Sequence, residues 1–278
     1  MMQSNTMRKF FTMFLQVALG LLFLSPIIWM VSASFKPNSD IFKDLDSLST
    51  FFPTNFTLDN YRDMFQRSNM LKVIGLSMGY ISLVILFGTI VNSLAGYAIA
   101  RLEFPFKKLI LGVIIAFYIV PFETVVLPLY LVSNSLDLTN TFHALWVPFV
   151  ADCFNIFLFK QFFASFPREL SEAAKVDGCS ELGIFTKIVV PNSIPVIATS
   201  VVLTIVARWS DFMWPLIATT DKDLRTVQLG IQAFFTSPPI MYGPIMAALV
   251  FTTLPIIVVF SFLQKYYVQG IVSTGIKG

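Results

Sequence analysis

Apolar segments of membrane-crossing length limit what this chain can become more than any other feature. The first runs from Phe10 to Ala33, about 24 mostly apolar residues behind Arg8-Lys9. A helix needs about 20 to cross the hydrocarbon core of a bilayer. Further segments follow at 70–100, 109–132, 142–163, 188–218 and 243–267. Lipid offers the backbone no water, so each segment has to close its own hydrogen bonds as a helix. The expected fold class is therefore an all-α integral membrane protein with six transmembrane helices, forming one domain over residues 1–278. The charged residues are only 13% of the chain and the apolar ones 56%, against about 25% charged in soluble domains. Val31-Ser32-Ala33 looks like a small-residue cleavage site, but the apolar run before it exceeds the roughly 7–15 residues of a signal peptide. It reads as a retained first helix.

The polar stretches between segments set the topology. Residues 34–69 and 219–242 read as exterior loops, the first with short helices, and Arg101 to Lys108 as a tight basic turn. Pro121 and Pro128 break the third segment, and Gly75-x-x-x-Gly79 lets the second pack closely. Six spans leave both termini on one side. On that side lie Arg8, Lys9, Arg101, Lys107, Lys108, Lys160, Arg168, Lys175, Lys187, Lys265 and Lys277, which makes eleven. The other side carries seven: Lys36, Lys43, Arg62, Arg67, Lys72, Lys222 and Arg225. Basic residues favour the cytoplasmic face, so both termini are expected there, with membrane lipid as the surrounding partner. The net charge is only +3 and dispersed, which implies no nucleic acid. Cys153, Cys179 and the single His143 make neither a disulfide framework nor a metal site.

One insert, 167–187, departs from the apolar pattern. Pro167 suits a helix's first turn, and Glu169 and Glu172 favour its positive N-terminal end. Gly178 ends that helix, and Ser180 with Glu181 opens a second. If helical throughout, Glu169 to Phe185 spans roughly 25 Å. Ala173 and Ala174 keep one face low, so that another protein's surface can approach. An amphipathic helix lying on lipid headgroups is the alternative.

The spacing of Glu172, Ala173, Ala174, Asp177-Gly178, Phe185, Ile188 and Pro191 resembles the EAA signature of ABC-importer membrane permeases. The wider chain is most similar to their carbohydrate-uptake branch, the second permease subunit of maltose-type importers. That resemblance implies a cytoplasmic coupling insert between helices 4 and 5, docked in a groove of a separate ATPase. It also implies a second homologous permease, two ATPase subunits and an extracytoplasmic substrate-binding protein. The sequence contains no G-x-x-x-x-G-K-[ST] phosphate loop. No cofactor is expected in this chain, then, and ATP and Mg belong to the partner ATPase; the chain itself is a transport subunit and no enzyme. A further implied contact is between the polar C-terminal tail, 268–278, and the ATPase.

Charged residues inside membrane segments are functional candidates by default. Here they are Glu123, Asp152, Arg208 and Asp211. The stretch Arg208-Trp209-Ser210-Asp211-Phe212-Met213-Trp214-Pro215 resembles the family's W-N-D-F-x-W-P, with Ser210 in place of Asn. Arg208 and Asp211 are three apart and can neutralise each other. Trp209 and Trp214 offer flat apolar faces suited to sugar rings, or alternatively an aromatic belt at the membrane boundary. Arg208, Trp209, Asp211, Trp214 and Glu123 form the candidate substrate pathway. Gln228, Leu229 and Gly230 lie in a loop resembling the family's T-L-P-V-G-L, and are the candidate contact with the external binding protein. The expected function is uptake of a sugar, an oligosaccharide, by alternating access. An ion-coupled secondary transporter using Glu123 or Asp152 is the competing class, and a polyol or glycerol phosphate the competing solute.

Overall fold

The computed structural model describes residues 2–43 and 45–275, with side chains described for 8–43, 45–262 and 264. Within them the chain is helical and has no strand, as lipid burial of the backbone requires. Five helices are long and apolar enough to cross a membrane, or six if one sharply bent pair counts as a single span. In chain order the α-helices are α1 (Met2–Ser34), α2 (Asp59–Arg67), α3 (Met70–Arg101), α4 (Lys107–Ile119), α5 (Phe122–Ser135) and α6 (Cys153–Ser165). Then come α7 (Arg168–Val176), α8 (Glu181–Ile184), α9 (Ile194–Trp209), α10 (Met213–Ala218), α11 (Val227–Thr236) and α12 (Tyr242–Gly275).

Several expected spans keep their place but are not single unbroken helices. The third, expected over 109–132 with breaks at Pro121 and Pro128, is two helices, α4 and α5, bent by 107° at the first of these, where Pro121 follows Val120. Proline disfavours the helical conformation in the residue before it, and Val120 is extended (φ −69°, ψ 124°). Pro128 stays inside α5. The fourth, expected as one helix over 142–163, opens with two short 3₁₀ turns, Phe142–Leu145 and Val147–Phe149. Its α-helix begins only at Cys153, where Asp152 accepts a hydrogen bond from the Asn155 N–H and so fixes the start.

The fifth, expected over 188–218, starts in a π-turn, Phe185–Val189, passes through a 3₁₀ turn at Pro191–Ser193, and stops at Trp209. Asp211 accepts from the Trp214 N–H at 3.3 Å and restarts the chain as α10. The stretch 219–242, expected as an exterior loop, holds the ten-residue helix α11. The final helix continues to Gly275 where a polar tail was expected from 268, since a lone interior glycine such as Gly270 costs a helix only about 1 kcal/mol. The tail's side chains, and with them its expected ATPase contact, lie outside the described residues.

The chain falls into two compact units, Met1–Met70 with Gly230–Pro255, and Leu71–Leu229 with Ile256–Gly278. In the first, a buried lysine organises the stretch after α1. The Lys36 ammonium donates to the carbonyls of Ser49 and Thr50 at 3.0 and 2.9 Å. Asn60 donates to the carbonyls of Ser34 and Lys36 at 2.9 and 2.7 Å. Nearby, hydrogen bonds from Lys43 (2.5 Å), Asn55 and Ser39 hold the Asp40 carboxyl at about 2, below its ordinary 3.8. A depressed folded-state pKa contributes stability above about 3.8 that is lost as the pH falls towards 2. Digestion of this stretch by an acid protease should therefore accelerate between about pH 4 and pH 2 relative to an Asp40→Asn chain. Equal rates throughout that window would refute the contribution.

The second unit is built on α3 and α6. Gly96 of α3 lies flush against α6, so that a Cβ there would sit 2.6 Å from Phe159 Cβ and 2.9 Å from the Lys160 nitrogen. Below this contact Tyr97, Phe159, Phe163, Ala174, Ile184, Phe185, Val189 and Val196 form one apolar cluster. It ties the insert to the membrane helices.

Candidate functional site

The insert folds as a helix–turn–helix whose geometry follows from three residues. Gly178 sits at φ +82°, the left-handed conformation that glycine adopts without steric cost. Its N–H donates to the Lys175 carbonyl at 3.0 Å, and the Cys179 N–H reaches the Ala174 carbonyl at 2.9 Å. This paired arrangement closes the C-terminus of α7. Ser180 then accepts from the Gly183 N–H at 3.2 Å and opens α8. Across the bend Lys175 and Glu181 pair at 2.5 Å.

The insert is two-faced. Ala174 and Phe185 are buried in the cluster below, and Ile188 packs against it. Glu172, Ala173, Asp177, Gly178 and Pro191 are exposed. Beside them an apolar strip is left open: Val176 is 88% exposed, Leu182 63% and Leu170 49%. Burying apolar side chains in water-free contact stabilises by about 25 cal/mol per Å². A polar segment leaving three such side chains uncovered offers them to a partner surface.

A second site lies in the membrane-spanning part of the same unit. A cavity of about 440 Å³ is lined by Val84, Gly88, Thr89, Asn92, Tyr118, Phe149, Asp152, Phe154, Asn155, Ser200, Leu203, Thr204, Val206, Ala207 and Arg208. Small-solute sites span about 300–1,000 Å³ and combine apolar walls with a few placed polar groups. Here the polar groups form a connected chain. Asn92 accepts from the Asp152 N–H at 2.9 Å, Ser200 donates to Asn155 at 2.7 Å, and Asn155 donates to Thr204 at 3.5 Å. The Arg208 guanidinium pairs with Asp211 at 2.9 Å and lies 3.8 Å from the centre of the Phe149 ring.

The sequence-derived pathway residues divide on this geometry. Arg208 lines the cavity and Asp211 holds it. Trp209 is 5% exposed and Trp214 fully buried. Trp214 donates through Nε1 to the Ala144 carbonyl at 2.8 Å and meets Phe149 edge-on. Neither indole offers a face to a solute in this arrangement; both are packing residues, a correction to the expected stacking role. Glu123 is exposed in the first turn of α5 and does not line the cavity.

Gln228, Leu229 and Gly230 belong to the first turn of α11, and none is fully exposed. Gln228 donates to the Trp209 carbonyl at 3.1 Å. The exposed positions of that helix are Gln232, Phe235 and Thr236 instead. Sequence reasoning missed Asn92, Asn155, Ser200 and Thr204, because it searched membrane segments for charge alone. A signal existed: Ser200, Thr204 and Arg208 recur every fourth residue and so share one face of α9.

Comparison with known proteins gives concordant findings. The family model described as "binding-protein-dependent transport system inner membrane component" matches residues 92–273. An arabinooligosaccharides transport system permease protein, AraQ, of Halalkalibacterium halodurans is 30% identical over 91% of this chain and 91% of its own length. A probable ABC transporter permease protein, YurM, of Bacillus subtilis is 34% identical over 91% of this chain and 83% of its own. A solved bacterial ABC transporter involved in the import of the acidic polysaccharide alginate superposes with a TM-score of 0.80, covering 95% of this chain and 98% of that one. At 20% identity this last likeness speaks to the fold.

Proposed function

Since the chain belongs to the family of binding-protein-dependent transport system inner membrane components, we propose that it is the permease subunit of an ATP-driven importer for a sugar. The preferred solute is an oligosaccharide, the class named for AraQ. Read as six spans in one domain, with the side richer in basic residues facing inward, the chain has both termini and the insert in the cytoplasm of a bacterial cell. A second, homologous permease completes the pathway, two ATPase subunits carry ATP and Mg, and an extracytoplasmic binding protein delivers the solute.

One observation carries this reading. The helix–turn–helix at 168–184 is rooted in the same apolar cluster as the membrane helices, yet leaves Leu170, Val176 and Leu182 uncovered. The assigned coupling surface is Glu172, Ala173, Asp177 and Gly178; Ala174, expected on the same open face, is instead buried in the cluster, and with Phe185, Ile188 and Pro191 it anchors that surface to α9. The sequence has no phosphate loop of its own, so a separate ATPase is the occupant such a surface calls for. The solute path runs past Arg208 and Asp211 into the cavity, whose hydroxyl and amide groups suit sugar hydroxyls. Binding-protein contact falls to α11, through Gln232 and Phe235 beside the originally expected Gln228, Leu229 and Gly230.

Co-purification of the tagged chain from its native membranes in mild detergent tests the reading. The expected result is recovery of a second permease and an ATPase, with uptake in vesicles that requires ATP. Recovery of the chain alone, transporting without ATP and failing when the ion gradient is dissipated, would overturn it in favour of ion coupling.

A further inference from the structure

The insert and the start of α11 at Val227 lie at opposite ends of α3, and α3 is hydrogen-bonded to both. At one end the Tyr97 hydroxyl donates to Glu181 at 3.2 Å, while its ring packs on Phe185 with centroids 5.0 Å apart. Glu181 is also held by Lys175, so α7 and α8 move together against Tyr97. One turn on, Arg101 donates to the Phe166 carbonyl at the entry to the insert. At the other end the buried Ser77 hydroxyl accepts from the Val227 N–H, the first of α11, at 2.9 Å. Three residues later the Tyr80 hydroxyl donates to the Arg208 carbonyl, in the last turn of α9, at 2.6 Å. Both backbone groups belong to helix ends, where no partner exists within the helix.

We propose that α3 is the rigid link that transmits movement of the insert to α11, with Tyr97 and Ser77 as the positioning residues at its two ends. This rests on the reading of the insert as an ATPase contact. The alternatives within the chain are mechanically soft. α9 is reached from the insert only through a π-turn and a 3₁₀ turn, and α6 leads outward into two 3₁₀ turns at 142–149. α3 runs unbroken over 32 residues with no proline in its sequence. Its Ser77 and Tyr97 are separated by about 30 Å, the thickness of a bilayer's hydrocarbon core. A stiff helix fastened at both ends passes on a displacement that an interrupted one absorbs. Spatial continuity alone does not establish coupling, so the decisive quantity is an interaction between the two ends.

The test uses the complete complex purified from native membranes, carrying Gln232→Cys on a Cys153→Ser, Cys179→Ser background. A thiol reagent is applied with and without ATP and vanadate. We expect trapping with nucleotide to change the labelling rate by about tenfold, within the range of ordinary allosteric coupling. Tyr97→Phe, which keeps the ring and removes only the hydroxyl, should reduce that change to about twofold or less. Ser77→Ala should do the same, the double variant should do no more than either single one, and Ser77→Thr should restore the response. A full response in both single variants would overturn the inference. So would effects that simply multiply in the double variant, or no nucleotide response in the parent while the complex hydrolyses ATP. Absence of any ATPase from the purified complex would instead sink the functional reading, and this inference with it.

Discussion

Replacing Gly96 with alanine should strongly reduce the amount of folded protein, although alanine is the better helix former. The added Cβ would meet Phe159 Cβ at 2.6 Å, the Lys160 nitrogen at 2.9 Å and the Ile156 carbonyl oxygen at 3.1 Å. Two of those three atoms are backbone, so no rotamer change relieves the contact and α3 has to move off α6. Overpacking of this kind costs about 1–3 kcal/mol, with backbone contacts at the upper end. Whole-protein stabilities are about 5–15 kcal/mol, so the change is a large fraction of the total. Gly75 and Gly112 supply the control, since a Cβ at either meets nothing within 4 Å. Alanine there should be neutral or slightly stabilising through helix propensity alone. Thermal unfolding in detergent compares the three variants. An unfolding temperature for Gly96→Ala within the spread of the other two would show that α3 and α6 do not pack as described.

The second large effect is expected at Gly178, by a different mechanism. Nothing lies within 4 Å of a Cβ added there, so size is not the obstacle. The obstacle is φ +82°, a conformation that costs an ordinary L-residue about 1–2 kcal/mol and more for a β-branched one. Gly178→Val should therefore open the bend that closes α7, disturb the Lys175–Glu181 pair and lower transport about 5- to 30-fold. The protein should remain inserted and assembled. Gly178→Asn should retain most activity, because asparagine tolerates the left-handed region best among non-glycine residues. Uptake per assembled complex, read beside ATP hydrolysis, separates lost coupling from lost protein. Unchanged uptake in the valine variant would remove Gly178 from the coupling role.

These two glycines mark how far the sequence could be read. Gly178 was legible because its requirement is local: a helix with an acidic residue in its first turn, a glycine at its end and a serine opening the next helix make one helix–turn–helix. The Arg208–Asp211 pair was legible for the same reason, being three residues apart on the chain. Gly96 was not legible, because its partners stand about sixty residues further along, in α6. The apolar segments announced a membrane protein through length alone, which is the dimension that a bilayer imposes.

What those segments could not announce is which side of each faces protein. In water a polar–apolar stripe separates surface from core, but lipid is as apolar as a protein interior and erases that contrast. Trp214 accordingly read as either a solute-facing ring or part of a boundary belt, yet it is fully buried and bonded to Ala144. Asn92, Asn155, Ser200 and Thr204 come from α3, α6 and α9, and only the packing of those helices makes them one cavity wall. By itself the sequence determined that the chain crosses a membrane, where its insert turns, and which charges can pair within one helical turn. The tertiary structure alone decided the cavity, the burial of the tryptophans and the bonding of α3 at both ends, because these depend on contacts between segments far apart in the chain.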